Sequence, residues 1–183
     1  MCIRDRFTCA SFSDGNMRCW GDGRHGNLGI NNDGNDWGDE AFKPGEENHV
    51  MELLVDCMIH TYVDEGDYNN DDVYHCNVRS MATGDTHTCA IMDCDTASGA
   101  VDEGLLKCWG KNDLGQLGQG QPNNMGGSGG RKMRHVKPTN LGDDRTVVSV
   151  CAGESHTCAV LLSLIHITEP TRQKPIAYSV ICL

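Results

Sequence analysis

The chain is predicted to be all-β, assembled from a repeated unit of short antiparallel strands with long loop insertions. Three observations predict it. One phrase recurs three times in fixed order, short apolar runs alternate with turn residues, and no stretch sustains helical periodicity between caps. Stacking of copies is required because no single unit of this size buries its own apolar face.

The first copy reads Thr8-Cys9-Ala10, Asp14-Gly15, Arg18-Cys19-Trp20-Gly21 and Gly26-Asn27-Leu28-Gly29. Asp-Gly between two apolar runs predicts a hairpin, because it accepts the positive φ that a tight turn demands. The second copy reads His87-Thr88-Cys89-Ala90, Lys107-Cys108-Trp109-Gly110 and Leu114-Gly115-Gln116-Leu117-Gly118. Its strands are expected over Thr88–Met92 and Gly104–Trp109. The third opens at Ala152-Gly153-Glu154-Ser155-His156-Thr157-Cys158-Ala159 and breaks off. Gly21, Gly110, Gly115, Gly118 and Gly153 mark tight returns. Leu114 and Leu117 are expected to supply apolar contacts, and Trp20 and Trp109, at a repeated strand end, to lie in the core. His87 and His156 occupy one repeat position, which favours a structural role in which each hydrogen-bonds a neighbouring turn.

These motifs resemble the RCC1-like repeat (regulator of chromosome condensation) β-propeller family. Its unit has a Gly-x-x-His-(Thr/Ser)-x-Ala strand, a Trp-Gly strand end and a Gly-(Gln/Arg)-Leu-Gly return. Residues 83–91 and 109–118 match closely, and the first copy more loosely, with Asn27 in place of Gln. The resemblance covers residues 8–30, 78–121 and 147–161. It implies a partial propeller of about two and a half blades. Some members of that family exchange guanine nucleotide on a small GTPase, and one plant member senses ultraviolet light through clustered tryptophans. No segment here corresponds to a GTPase wedge, and the light-sensing tryptophans have no counterpart.

The two ends read differently. Residues 1–6 and 162–183 resemble translated sequencing-library adapters and primer, so the repeat region is expected to be residues 7–161, cut at both sides. On that expectation Cys158 loses its partner past the break, and Met1 says nothing of a leader.

The formal charge is −11. So acidic a surface opposes nucleic acid as a partner. The basic cluster Arg131-Lys132-Met133-Arg134-His135 is read as a solvated loop. The apolar run over 160–165 is too short to span a bilayer. A protein partner is expected, of unknown identity and in unknown stoichiometry, and no cofactor is expected.

Eleven cysteines are many for this length. Cys9 and Cys19 lie at similar distances from the Asp14-Gly15 turn and face each other across the hairpin, within reach of a disulfide. Cys89 and Cys108 repeat that relation across a longer loop. Cys57 and Cys76 bracket an insertion and are candidates to close it, while Cys94 and Cys151 have no obvious partner. Such pairing points to an extracellular or lumenal setting. The alternative is a reduced cytoplasmic propeller in which cysteine packs as a small apolar residue.

Extra length falls in residues 31–74, 93–103 and 122–137, and such insertions map to loops on one face of a repeat protein. Residues 126–130, Gly-Gly-Ser-Gly-Gly, have linker composition without core potential. Asp33, Asp36, Asp67 and Asp71 are weak calcium candidates, since neither acidic stretch has the spacing of a twelve-residue calcium loop.

Nucleophile, phosphate-cradle and zinc-protease motifs are absent, so no catalytic residue is expected and the chain is read as a non-enzyme. The expected role is a non-catalytic protein-binding scaffold. The alternatives are a regulator of a small GTPase or a ubiquitin-ligase-associated propeller whose active part lies elsewhere, and a secreted binder assisted by calcium.

Overall fold

The structure, a computed structural model, describes residues 2–3, 6–30, 59–60, 73–74, 76–95, 100–127, 132–133, 136–142, 145–164 and 176–183. Among the described residues eleven strands run in the order β1 (Cys2–Ile3), β2 (Phe7–Ser11), β3 (Met17–Gly21), β4 (Ile59–His60), β5 (Val73–Tyr74), β6 (Cys76–Thr83), β7 (His87–Asp95), β8 (Val101–Gly110), β9 (Arg145–Ala152), β10 (Thr157–Leu164) and β11 (Ile176–Cys182). They form three three-stranded antiparallel sheets, β1-β2-β3, β6-β7-β8 and β11-β10-β9, plus the small pair β4-β5. No α-helix occurs among the described residues.

Each hairpin follows from its turn. Between β2 and β3, Gly15 has φ +85°, and the Asp14 carboxylate accepts the Asn16 amide at 3.0 Å. That bond holds the Asp14 carboxyl below its ordinary value. The turn then meets the second sheet, where the Val78 amide donates to the Gly15 carbonyl at 2.8 Å.

Burial records the stacking. β2 alternates, with Phe7 and Cys9 inside and Thr8 and Ala10 half-exposed, as a strand covered on one face should. β7 is buried at six successive positions, His87 to Met92, because the second sheet is covered on both faces. One core cluster joins Phe7, Cys9, Met17 and Leu28 to Ala90, Met92 and Trp109. The other joins Cys89, Ile91, Leu106, Cys108 and Leu117 to Val147, Ala159 and Leu161. The sheets stack in chain order without closing a ring.

Several expectations are corrected. The 93–103 segment is not wholly a loop: β7 continues to Asp95 and β8 begins at Val101, so most of it lengthens a hairpin. Gly126 and Gly127 are buried rather than linker-like, and Met133 and Val136 join the first core cluster. Leu114 is 72% exposed while Leu117 is fully buried, since only Leu117 faces the next sheet. Apart from these corrections, β1 and β11, each an edge strand of its sheet, fall within residues 1–6 and 162–183.

Candidate functional site at the sheet junctions

The residues that recur at fixed repeat positions meet where one sheet stacks on the next. At the first junction, the Asn27 carbonyl accepts two buried hydrogen bonds, from Thr88 Oγ1 at 2.9 Å and from Trp109 Nε1 at 3.0 Å. The second junction repeats the first bond: Thr157 Oγ1 donates to the Gln116 carbonyl at 2.9 Å. Thr157 also meets His87 Nε2 at 2.9 Å. Its single hydroxyl proton goes to Gln116, so His87 donates from Nε2 to the Thr157 oxygen. All these side chains are buried, which makes the bonds costly to break.

The loops that present these carbonyls have one geometry. Gly29 N bonds the Gly26 carbonyl at 3.0 Å, and Gly118 N bonds the Gly115 carbonyl at 2.9 Å. Asn112 braces the second loop, its Oδ1 accepting the Leu117 amide at 2.9 Å. At the strand ends, Gly21 and Gly110 share a φ of +109° and +110°. A Cβ on either would press on the backbone of the facing strand, Phe7 or His87. Glycine is therefore fixed there both by conformation and by space. Gly84 and Gly153 are fixed by space alone, because the His87 and His156 rings fold over them.

Equivalent positions differ in environment. Trp109 is buried against Gly29, but Trp20 is 40% exposed, which corrects the expectation that both are core. Its pocket would come from a preceding loop, and no described residue provides one. His156 is exposed, and among the described residues no threonine stands opposite it as Thr157 does opposite His87. For His87 the bond reaches a strand threonine of the next sheet rather than a neighbouring turn.

Among the described residues four disulfides join directly opposed residues: Cys9–Cys19, Cys76–Cys94, Cys89–Cys108 and Cys158–Cys182, with Cα separations of 4.0–4.1 Å. The candidate pair Cys57–Cys76 is corrected, since β6 places Cys76 opposite Cys94. Cys94 thereby gains the partner the sequence did not show, and Cys158 finds one within the chain at Cys182. Cys57, Asp33, Asp36, Asp67 and Asp71 lie outside the described residues. Among the described residues no cluster of potential metal ligands occurs. Four such bridges are compatible with an oxidising, extracellular setting.

The threonines Thr88 and Thr157 were missed as junction residues although their recurrence was visible. Lys107 was missed too: it is buried on β8. The ion pairs among the described residues lie at the surface. Arg79 grips Asp93 with two bonds of 2.6 and 2.9 Å across β6 and β7, with Glu103 at 3.7 Å. The Arg24 side chain hydrogen-bonds Asp22 and holds its carboxyl below the ordinary value, and Lys111 does so for Asp113. No described helix is long and apolar enough to cross a membrane.

Compared with known proteins, residues 103–160 match the family model described as the regulator of chromosome condensation (RCC1) repeat. The matched segment begins in β8 and ends in β10, so it straddles two sheets and contains the Gln116–Thr157 junction. A chain in the crystal structure of Kap60 bound to yeast RCC1 (Prp20) is similar at 17% identity and a TM-score of 0.40, over 87% of this chain and 28% of that chain. This chain thus spans well under two thirds of that relative. Residues 103–160 thus resemble an RCC1 repeat, set in an all-β chain whose antiparallel sheets stack without closing a ring.

Proposed function

We propose that the chain is a non-catalytic protein-binding part of an RCC1-like propeller that works in an oxidising compartment. One observation carries the reading. The polar side chains that recur, Thr88, Thr157, His87 and Trp109, are spent on holding sheets together and are buried there. Residues consumed in this way leave binding to the loops, where the acidic insertions give this chain its individuality. The disulfides support the compartment, because the reduced cytosol does not retain such bridges. Residues 7–161 are proposed to be the native part, with the adapter-like ends set aside.

The test is a screen of the chain, secreted by an oxidising host, against an array of folded extracellular domains, with and without calcium. The Asp33→Asn/Asp36→Asn/Asp67→Asn/Asp71→Asn variant is run beside it. A saturable protein ligand, weakened about tenfold or more by the variant and indifferent to calcium, supports the proposal. Calcium-dependent capture moves the reading to the calcium-assisted binder. Accelerated nucleotide release from a small GTPase moves it to an exchange factor.

A further inference from the structure

Five of the eight methionines meet at the first junction. Met17, Met81, Met92 and Met133 are buried in its core cluster, and Met125 packs against it half-buried. Met17, Met81 and Met92 lie on the stacked strands β3, β6 and β7. Met125 and Met133 come from outside the sheets, on the insertion that follows the second loop. The Met133 sulfur shares with the Trp109 ring the space against Gly29 and Gly126.

The backbone of residues 125–127 is clasped from two sides. Met125 exchanges two main-chain bonds with Gly110, the residue after Trp109, at 2.8 and 2.9 Å. On the other side, a Cβ on Gly26 would strike the main chain of Met125, Gly126 and Gly127, and a Cβ on Gly126 would strike the Gly26 carbonyl. The segment thus ties the loop of the first copy to the end of β8 and covers Trp109. Met125 borders both core clusters and is the one of the five methionines that is not buried. Thioether oxidation follows exposure, since the oxidant must reach the sulfur. A sulfoxide there would carry a polar oxygen between two apolar clusters, where it is costly without a donor.

We propose that Met125 is a modification site for peroxide, and that its oxidation releases residues 125–127 from the first junction. The Met125 sulfur attacks one oxygen of hydrogen peroxide, and the S–O bond forms as the O–O bond breaks. The departing hydroxide takes the proton of the transferred oxygen and leaves as water. Sulfur is oxidised by two electrons to the sulfoxide, and the peroxide is reduced. Every group involved lies within residues 7–161. Release gives up the Gly110 bonds and uncovers Trp109, while the Thr88 bond to Asn27 keeps the two sheets joined. The opening is therefore local.

The test treats the full chain with graded hydrogen peroxide after alkylating its free thiols, the exposed Cys151 among them. The Met125→Leu variant, which keeps the volume and lacks the sulfur, is run beside it. Peptide mass mapping follows each sulfoxide, and hydrogen exchange follows the Gly110 amide. Met125 should oxidise about tenfold or more faster than Met17, Met81, Met92 and Met133. Gly110 exchange should rise about tenfold or more in step with it. Methionine sulfoxide reductases should reverse both changes, and the variant should keep its protection at the same dose. The proposal is overturned if Met125 reacts no faster than the four buried methionines, or if Gly110 stays protected once Met125 is oxidised. Equal loss of protection in the variant also overturns it. Where the variant does not fold, the reductase arm decides, since protection that fails to return is the opposite of a reversible release.

Discussion

Replacing Thr157 by valine should expose how strongly one hydroxyl joins two sheets. The methyl keeps the shape but removes the donor to Gln116 and the acceptor for His87, both at 2.9 Å and both buried. Leaving a buried carbonyl and a buried imidazole N–H unsatisfied costs about 1–3 kcal/mol apiece, so about 3 kcal/mol in total is expected. With a urea slope of about 1–3 kcal/mol/M, the midpoint falls by about 1–3 M, read by the fluorescence of the buried Trp109. Two controls sharpen the comparison. Thr88→Val should cost about 1 kcal/mol, because Trp109 still serves the Asn27 carbonyl. Thr8→Val, on the open face of the first sheet, should fall within about 0.5 kcal/mol of the parent. The reasoning is refuted if Thr157→Val costs less than about 0.5 kcal/mol, or no more than Thr88→Val.

Two further outcomes follow from the same geometry. Gly84→Ala should cost about 1–3 kcal/mol in urea unfolding by displacing the His87 ring, whereas Gly115→Ala should cost only about 1 kcal/mol, since its Cβ meets nothing and only the φ of +84° is strained. For Asp22, the arginine bond lowers the folded carboxyl below its unfolded value, so its contribution is present above about pH 4 and fades as pH falls through the folded value. The midpoint difference between the parent and Asp22→Asn should therefore be largest near neutrality and close in acid; a constant difference down to acid would refute that assignment.

The strands and their turns were legible because they depend on neighbours in sequence: Asp14-Gly15 dictates a hairpin wherever it sits. The facing cysteines follow from the same local count. Burial of repeated residues was not legible, because it depends on which sheet stands in front. Trp20 and Trp109 share the same Cys-Trp-Gly sequence, yet only Trp109 has the Gly29 loop to enter. Cys94 was hidden for another reason. Its pairing with Cys76 requires knowing that β7 runs on to Asp95, and Asp-rich sequence reads as loop. Met133 sits among basic residues, so its place beside Trp109 was masked by the charge around it.

The Asn27 and Gln116 contacts have a consequence for how such a chain can change. In both, the acceptor is a main-chain oxygen, so the identity of the side chain at that position is not what the neighbouring sheet reads. A loop can drift from asparagine to glutamine, or further, while its track still delivers the oxygen to the same spot. Coupling of this kind is generic: any duplicate that carries the loop path at one end and a threonine at the other docks onto its predecessor without new complementarity having to evolve. Copies joined in this way are held by the loop path and the threonine alone, which leaves the segments between those contacts free to differ in length.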